Sequence, residues 1–439
     1  MSTLPHTYAS PPIAIEESQQ ALFKKIAWRL MPFLFICYLI AQVDRMNVSF
    51  AKLQMLDELK FSETVYGLAA GVFFIGYVLF EVPSNILLRK YGAHRWIARI
   101  MVSWGIVTVG MMFVTTPMQF YVMRFLLGVA EAGFFPGVIF YLTYWFPKAQ
   151  RTKMTAIFMT AIALSGVIVG PISGAIMREM HQFHGFSGWQ WLFMLEGAPA
   201  VFLGICCLFY LPRDPQSSRW LTEAEKTMLS DVMAKEVASS TDIPLREILK
   251  GSKVWLLSGI YGCYGVSFFG FVFWLPTIIK SIGLSDPFSI GLVSSIPWTV
   301  AVVAMFFIAA YVDKRQNATP VLIVLSLIAS LGWALSPLVD GNIVLSMAVL
   351  SLAMFGLMAS LPVFWNLPTG AYHGTAAAAV IAIVTSLGNV PGFFSPYIVG
   401  WIKETTHSMA AAMYMFAALS LLGAVLLVIY RKVVAAENK

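Results

Sequence analysis

Twelve long apolar runs constrain the fold of this 439-residue chain more than any other feature. Each run meets or exceeds the ~20 residues that an α-helix needs to cross about 30 Å of hydrocarbon. Backbone polar groups find no water in lipid, so only helices or a closed barrel can span it, and the alternating strand pattern of a barrel is absent. The sequence therefore predicts an all-α membrane protein with twelve transmembrane helices. The runs are 28–50, 64–88, 95–115, 118–141, 154–177, 189–211, 253–279, 287–311, 319–338, 341–363, 374–401 and 408–431.

The composition agrees with a membrane setting. Hydrophobic residues make up 59% of the chain, charged residues 12%, and mean hydropathy is +0.76, whereas a soluble domain carries about 25% charged residues. The basic residues that give the net charge of +7 are scattered over loops, which argues against nucleic-acid binding. The four cysteines lie in apolar runs and fit no metal or redox spacing. We expect a monomer without metal or cofactor. We also expect that the protein is not an enzyme, because the helices show no nucleophile–base pair.

Loop charges predict the orientation in the membrane. Most of the Lys and Arg residues outside the long middle loop fall on the side that carries the N-terminus. By the positive-inside rule, both termini face the cytoplasm and the chain is integral to the cytoplasmic membrane. The few basic residues assigned to the outer loops are Lys52, Lys60, Arg178, Lys280 and Lys403.

A charged segment divides the twelve runs six and six. We predict a cytoplasmic tail at 1–24, a six-helix bundle at 25–211, a linker at 212–252, a second bundle at 253–432 and a tail at 433–439. Within the linker, Thr222 and Glu225 have the spacing of a helix capping box. Small residues recur at four-residue spacing in the fifth and eleventh runs, as in a transporter built from two repeats. They are Gly166, Gly170 and Gly174 in the fifth run, and Gly388, Gly392, Pro396 and Gly400 in the eleventh.

Two pairs of charged residues lie inside apolar runs. Asp44 and Arg45 are in the first run, and Arg124 and Glu131 are on one face of the fourth. A charge at bilayer depth costs roughly 2.5–3.5 kcal/mol, so such residues usually line a substrate or ion pathway. If these helices are neighbours, we expect the two arginines and two carboxylates to share one wet compartment. The alternative is that they form ion pairs that hold two helices together.

These charges suggest how proton and anion binding could be coupled. Burial favours a neutral acid and a nearby arginine favours a carboxylate, so Asp44 and Glu131 are placed to take protons. Their protonation would leave Arg45 and Arg124 as uncompensated cations, which a small organic carboxylate can satisfy with bidentate hydrogen bonds. The protein would then be a symporter of protons and a small organic anion.

Other polar residues complete the predicted pathway. The helices of the second half are expected to contain no acid or base, and their neutral groups to recognise the rest of the substrate. The further predicted substrate-binding residues are Gln42, Tyr77, Trp365, Asn366, Ser386 and Asn389, and the predicted gating residues are Glu81, Asp313 and Arg315.

Several stretches resemble the anion:cation symporter branch of the major facilitator superfamily. They are VDRMNVSFA (43–51), GYVLFEVPSN (76–85), RFLLGVAEAGFFPG (124–137), GWQWLFMLEGAPA (188–200), FWNLPTGAYHGTAAAA (364–379) and SLGNVPGFFSPYIVGW (386–401). The resemblance implies two six-helix bundles that rock by alternating access, and proton-driven uptake of anions such as sugar acids, tartrate, phthalate or hydroxyphenylacetate. It also implies that Asp44 and Glu131 bind protons and that Arg124 helps to bind substrate.

The sequence departs from this pattern in two places and leaves one rival function open. The loop LLRKYGAHRW (87–96) lacks the acid that the superfamily usually has, although AAYVDKR (309–315) keeps Asp313. Gln42 stands where some sugar-acid carriers have an aromatic residue. GVIVGPISGA (166–175) approximates a Gly-Pro motif of exporters, so the alternative is a proton-driven drug or metabolite efflux antiporter, which would not need buried arginines.

Overall fold

The computed structural model describes residues 12–237, 251–315, 317–339, 341–372 and 374–437. Its helices are α1 (Pro12–Leu59), α2 (Glu63–Tyr91), α3 (Ala93–Gly110), α4 (Pro117–Glu131), α5 (Phe134–Leu142), α6 (Lys148–Glu179), α7 (Gly188–Tyr210), α8 (Glu223–Val237), α9 (Ser252–Ser281), α10 (Pro287–Arg315), α11 (Ala318–Leu335), α12 (Ile343–Phe364), α13 (Asn366–Ala371), α14 (Gly374–Thr406) and α15 (Ala410–Glu437).

Twelve helical stretches among the described residues are long and apolar enough to cross a membrane. They confirm the predicted all-α class, and the described ranges contain no strand. Two stretches are interrupted: α4 and α5 make up the fourth span, and α12 and α13 the tenth. The first span differs most from its predicted bounds, because α1 continues well beyond residue 50 and ends at Leu59.

Local sequence signals explain where several helices begin. Ser62 and Thr116 accept hydrogen bonds from the first-turn backbone of α2 and α4, and Ser187 and Gln190 form a capping box at α7. The predicted capping box of the linker is confirmed: Glu225 accepts from the Thr222 backbone N–H at 2.8 Å, where α8 begins. These caps satisfy N–H groups that a helix leaves unpaired at its start.

The two halves of the chain meet along two seams of small residues. In the first seam, a Cβ added to Gly170 or Gly291 would collide with the backbone of the other, so α6 and α10 touch backbone to backbone. In the second, Gly67 of α2 approaches Pro396 of α14, and Gly400 of α14 approaches Glu63 of α2. The predicted four-residue glycine spacing in the fifth and eleventh spans therefore marks the seams between the halves.

The bundles close on each other at one end, which we call the gate end. It is the end where α1, α9 and α14 finish and α2 and α10 begin. Glu63 of α2 forms ion pairs with Lys52 of α1 at 2.6 Å and with Lys403 of α14 at 2.5 Å. The Lys52 ammonium also lies 3.6 Å from the ring centroid of Trp274 on α9.

Further contacts across the gate end extend this closure. The Tyr66 hydroxyl donates to the Phe273 carbonyl at 2.7 Å, and the Thr64 backbone N–H donates to the Glu404 carboxylate at 2.8 Å. Lys280 reaches Asp57 at 3.4 Å.

The bundles separate away from the gate end. The first half of α2 is largely buried, from Tyr66 to Tyr77, whereas Val78, Leu79, Phe80, Val82 and Ile86 in its second half are all exposed. Exposure on more than one face of a helix cannot come from lipid contact on a single side. The structure is thus closed at the gate end and open at the other.

Two sequence expectations are wrong at the gate end. Lys52 was expected in an outer loop, but α1 extends past it and leaves it only 4% exposed. The second half was expected to have no base within a helix, yet Lys280 and Lys403 lie inside the last turns of α9 and α14. Composition could not reveal either, because the carboxylate partners lie on other helices: Lys52 pairs with Glu63 of its own half, whereas Lys280 and Lys403 pair with acids of the opposite half.

Candidate functional site

The fourth span breaks where it carries its buried acid. Glu131 is the last residue of α4, and Gly133 then adopts φ +86° before α5 begins. A side chain at Gly133 would be strained by this φ and would also collide with Ser84 of α2. Non-helical backbone at membrane depth is tolerated where it is buried in protein or lines a cavity. The break therefore places the Glu131 carboxyl at a helix end instead of mid-helix.

Arg45 and Glu131 form a partly buried ion pair. One guanidinium nitrogen of Arg45 donates to the Glu131 carboxylate, while the other carboxylate oxygen of Glu131 is buried without a hydrogen-bond partner. The guanidinium carbon also lies 5.3 Å from the ring centroids of both Phe73 and Tyr77 on α2. Arg45 thus has a carboxylate on one side and aromatic faces on another.

Arg124 has no carboxylate partner among the described residues. Its side chain is fully buried, at 0% exposure. Its Nε donates to the Ala69 carbonyl at a long 3.4 Å, and its guanidinium carbon lies 5.0 Å from the Phe73 ring centroid. Both terminal nitrogens are buried without a hydrogen-bond partner. A guanidinium with its planar fork unpaired in a buried position is a site ready for an oxyanion.

Asp44 makes no ion pair with either arginine among the described residues, although it is next to Arg45 in sequence. Consecutive residues on a helix are 100° apart, and the Asp44 side chain turns toward α3. It accepts from Thr108 Oγ1 at 2.9 Å and from Asn47 Nδ2 at 3.4 Å, and it is 0% exposed. It belongs to no ion pair among the described residues. Asp44 therefore bonds toward α3 and not directly to the arginines, and the expectation that all four charged groups line one compartment stays a prediction.

Two predicted first-half residues surround the charged centre. Tyr77 is buried with its ring against Arg45, and Glu81 follows one turn later on α2, partly buried. Gln42 is buried on α1, one turn after Tyr38.

The second half contributes an aromatic cluster. Trp365, at the break between α12 and α13, lies 5.1 Å between ring centroids from Tyr261 and 5.3 Å from Phe364. Asn366 is exposed and donates to the Val363 carbonyl at 3.1 Å. An interrupted helix carrying polar residues is a common feature of substrate sites in transporters.

The remaining predicted residues lie at the edges. Ser386 is exposed on a stripe of α14 with Val390 and Phe394, and Asn389 is partly buried. Asp313 and Arg315 lie in the last turn of α10, at the open end, where the Arg315 guanidinium is 5.9 Å from the Tyr311 ring centroid.

Sequence reasoning missed two residues that organise the site. The Phe73 ring lies beside both guanidinium groups, and an aromatic face is a favourable neighbour for a desolvated cation. Thr108 holds Asp44. No local signal distinguishes either from an ordinary packing residue of a membrane helix, so only the tertiary structure identifies them.

Known proteins show the family of this chain. A profile of the Major Facilitator Superfamily matches residues 34–396. NicT of Pseudomonas putida, whose name proposes metabolite transport, is 43% identical over 416 residues, which cover 94% of this chain and 95% of the relative. A protein of Agrobacterium vitis whose name proposes tartrate transport is 43% identical over 420 residues, covering 95% and 96%. A quinolone resistance transporter of Acinetobacter baumannii is 38% identical, covering 94% and 96%.

A solved structure shares the fold. The xylose transporter XylE of E. coli, in a partially occluded inward open conformation, superposes with a TM-score of 0.72 at 15% sequence identity, covering 91% of this chain and 96% of that one. Identity this low supports the architecture of two six-helix bundles and nothing about substrate. Together with the twelve apolar helices, these likenesses show that the chain belongs to the Major Facilitator Superfamily and is an integral membrane transporter of small molecules, not an enzyme.

Proposed function

We propose that this protein is a proton-coupled symporter that imports a small organic anion by alternating access. The substrate class is a sugar acid, a hydroxy acid or an aromatic carboxylate. The observation that carries the proposal is the guanidinium group of Arg124, which is fully buried with both terminal nitrogens unpaired.

The energetics of Arg124 favour an anionic cargo. An ion removed from water loses several kcal/mol of solvation, which only an opposite charge with good hydrogen bonds can offset. The described residues offer Arg124 a single long bond to a backbone carbonyl. A carboxylate accepts two parallel N–H bonds from a guanidinium and would supply what is missing. A cationic drug would instead add a second uncompensated charge.

The pairing of Arg45 with Glu131 provides the link to protons. While Glu131 is ionised, it occupies the Arg45 guanidinium. A proton on Glu131 removes that negative charge and frees Arg45 to join Arg124 in binding the cargo. Since each event makes the other more favourable, proton and anion binding are reciprocally coupled. Asp44 is the second proposed proton site. It lies inside the first bundle, where it accepts hydrogen bonds from Thr108 and Asn47.

The other predicted residues keep their proposed roles. Substrate contacts come from Tyr77 and Gln42 in the first bundle and from Trp365, Asn366, Ser386 and Asn389 in the second. Glu81, Asp313 and Arg315 act in gating at the open end. With both termini in the cytoplasm, the gate end faces outward and the structure is inward-open. The bundles are assigned to 25–211 and 253–432, joined by the linker 212–252, of which residues 238–250 lie outside the described ranges.

The alternative function is proton-driven efflux of a drug or metabolite. It is favoured by the 38% identity to a quinolone resistance transporter and by the Gly-Pro sequence of α6. The relative whose name proposes tartrate transport favours import of a carboxylate. Both functions use a proton gradient, but they move the cargo in opposite directions relative to protons.

Proteoliposomes separate the two functions. Purified protein is reconstituted with an acidic exterior, and radiolabelled tartrate, a sugar acid and an aromatic acid are each offered outside. Symport predicts accumulation above the external concentration that a protonophore abolishes. If an acidic exterior instead drives preloaded quinolone out and none of the acids accumulates, the symport proposal is wrong and the antiport function is supported.

A further inference from the structure

A third carboxyl group lies behind Asp44, inside the first bundle. Glu196 is in the middle of α7, 5% exposed. Its Oε1 accepts from Ser173 Oγ of α6 at 2.7 Å, whereas its Oε2 is buried without a hydrogen-bond partner. No ion pair of the described residues includes Glu196. A carboxylate in such a position has no cation to offset its loss of solvation, so a proton is the ligand that this oxygen lacks.

Asp44 lies in a buried network with Asn47 and Thr108. Asn47 is one turn after Asp44 on α1, is 1% exposed, and donates to Asp44 Oδ1. The residue after Glu196, Gly197, packs against Thr108, which donates to the other oxygen of Asp44, so the two carboxyl groups belong to neighbouring positions of one buried network. Two neighbouring acids without a cation hold one negative charge far more readily than two.

Among the described residues, Asp44 is the ionisable group next to Glu196; Glu58 of α1 also reaches α7, but two turns away, at Trp189. Packed against α7 are α3, which presents Thr108, α6, which presents Ser173, and α1, which presents Asp44 and Asn47. Next to Asp44 in sequence, Arg45 pairs with Glu131, and Arg45 and Arg124 both lie at the Phe73 ring. The proton occupancy of Glu196 therefore depends first on that of Asp44, and through Asp44 on the charged centre.

We propose that Glu196 is a proton-coupling residue whose proton occupancy is linked to that of Asp44, across the buried network of Asn47 and Thr108. This rests on the proposed function, proton-coupled anion import, and extends it. When Asp44 ionises, Glu196 keeps the pair from carrying two charges. When Glu131 is protonated and the cargo enters, the negative charge on the pair helps to balance Arg45 and Arg124. Glu196 touches no cargo and acts only on protonation.

The first test is the variant Glu196→Gln in proteoliposomes, which keeps the shape and one acceptor oxygen. Exchange of internal for external cargo at equal pH should stay within about twofold of wild type, since exchange needs no net proton transfer. The pH midpoint of uphill uptake should fall by about one unit, because removing the neighbouring negative charge makes Asp44 easier to ionise. Glu196→Asp should restore the wild-type profile. An unchanged midpoint in Glu196→Gln would show that Glu196 has a structural role only.

The second test is an infrared pH titration of the full-length protein without cargo. Acidification should produce a protonated-carboxyl band that is absent in Glu196→Gln. In Ser173→Ala the same band should move to higher frequency because its hydrogen bond is lost. Ser165→Ala is the matched control: Ser165 is equally buried on α6 but bonds the Ile162 carbonyl of its own helix, so the band should not move.

The two tests keep the proposals distinct. A titration in which no carboxyl band responds to Ser173→Ala would overturn the role of Glu196, whatever the cargo. Wild-type protein that shows the band but accumulates no organic acid would instead contradict the proposed function.

Discussion

Removing the shared carboxylate of the gate end should shift the protein toward its opposite conformation. Glu63 binds two lysines, one from its own bundle and one from the other. Only the contact with Lys403 has to break when the gate end opens. In Glu63→Gln the closed form therefore loses this ion pair, and it also leaves Lys52 and Lys403 near each other without an acid between them.

The expected magnitude follows from exposure. The side chains of Lys403 and Glu63 are 22% and 26% exposed, between a surface pair and a buried pair. A surface pair is worth about 0.2–1 kcal/mol, and breaking a fully buried pair costs about 3–5 kcal/mol. We take about 1–2 kcal/mol for the closed form, and each 1.4 kcal/mol changes the ratio of conformations about tenfold.

Electron–electron distance measurements can detect such a shift. Spin labels at Glu179, at the end of α6, and Thr405, at the end of α14, report the separation of the bundles. Glu63→Gln should increase the population with the longer distance about tenfold relative to its small wild-type value. The matched control is Asp57→Asn, which removes a cross-bundle ion pair at the same end from a side chain that is 79% exposed, and it should change the distribution little.

A charge exchange gives the decisive comparison. In the double variant Glu63→Lys with Lys403→Glu, the acid on α14 lies between two lysines again, and the closed form should recover. If Glu63→Gln leaves the distances unchanged, or the exchange restores nothing, then the triad does not hold the gate end closed.

Three further outcomes can be measured. Arg124→Lys should weaken cargo binding about tenfold or more, because an ammonium cannot form the two parallel bonds of the guanidinium fork; calorimetric affinity near the wild-type value would remove Arg124 from the site. Glu131→Gln should bind cargo with a weaker dependence on pH than wild type and exchange it, yet fail to accumulate it under a pH gradient, and normal uphill uptake would contradict the coupling. At the linker, the hydrogen bonds from Lys25 and the Thr222 backbone lower the pKa of Glu225, so this contact stabilises α8 at neutral pH and is lost as the pH falls through the lowered value. Lys25→Ala should speed hydrogen exchange in α8 at pH 7 and have no effect in strong acid, and equal exchange at pH 7 would show that the contact does not hold α8.

The sequence predicted positions along helices better than directions around them. Helix number and class follow from apolar length, because lipid allows no other backbone arrangement. Arg124 and Glu131 were placed on one face of the fourth span, and both are buried in α4 as the spacing requires. The contact of Asp44 with Thr108 was not predicted, because nothing in a single helix tells which side meets its neighbours.

Other features depended on contacts between distant segments. The Glu63 carboxylate pairs with the buried Lys52. The position of this carboxylate is set only when α1, α2 and α14 assemble. The break at Gly133 was likewise missed, since an isolated glycine in an apolar run is also compatible with a continuous helix. The closure of the gate end could not be predicted, because it reflects one of several conformations available to the same sequence.

The glycine seams have a mechanical consequence for the transport cycle. Interdigitated side chains hinder the sliding of one helix over another, because they must separate before the helices can move. At Gly170 and Gly291, however, α6 and α10 contact each other through backbone atoms. One bundle can therefore tilt relative to the other with little loss of van der Waals contact, and the tilt axis can pass through this contact between α6 and α10. For the same reason, one methyl group added at either glycine would collide with the facing backbone and hinder the movement of one bundle relative to the other.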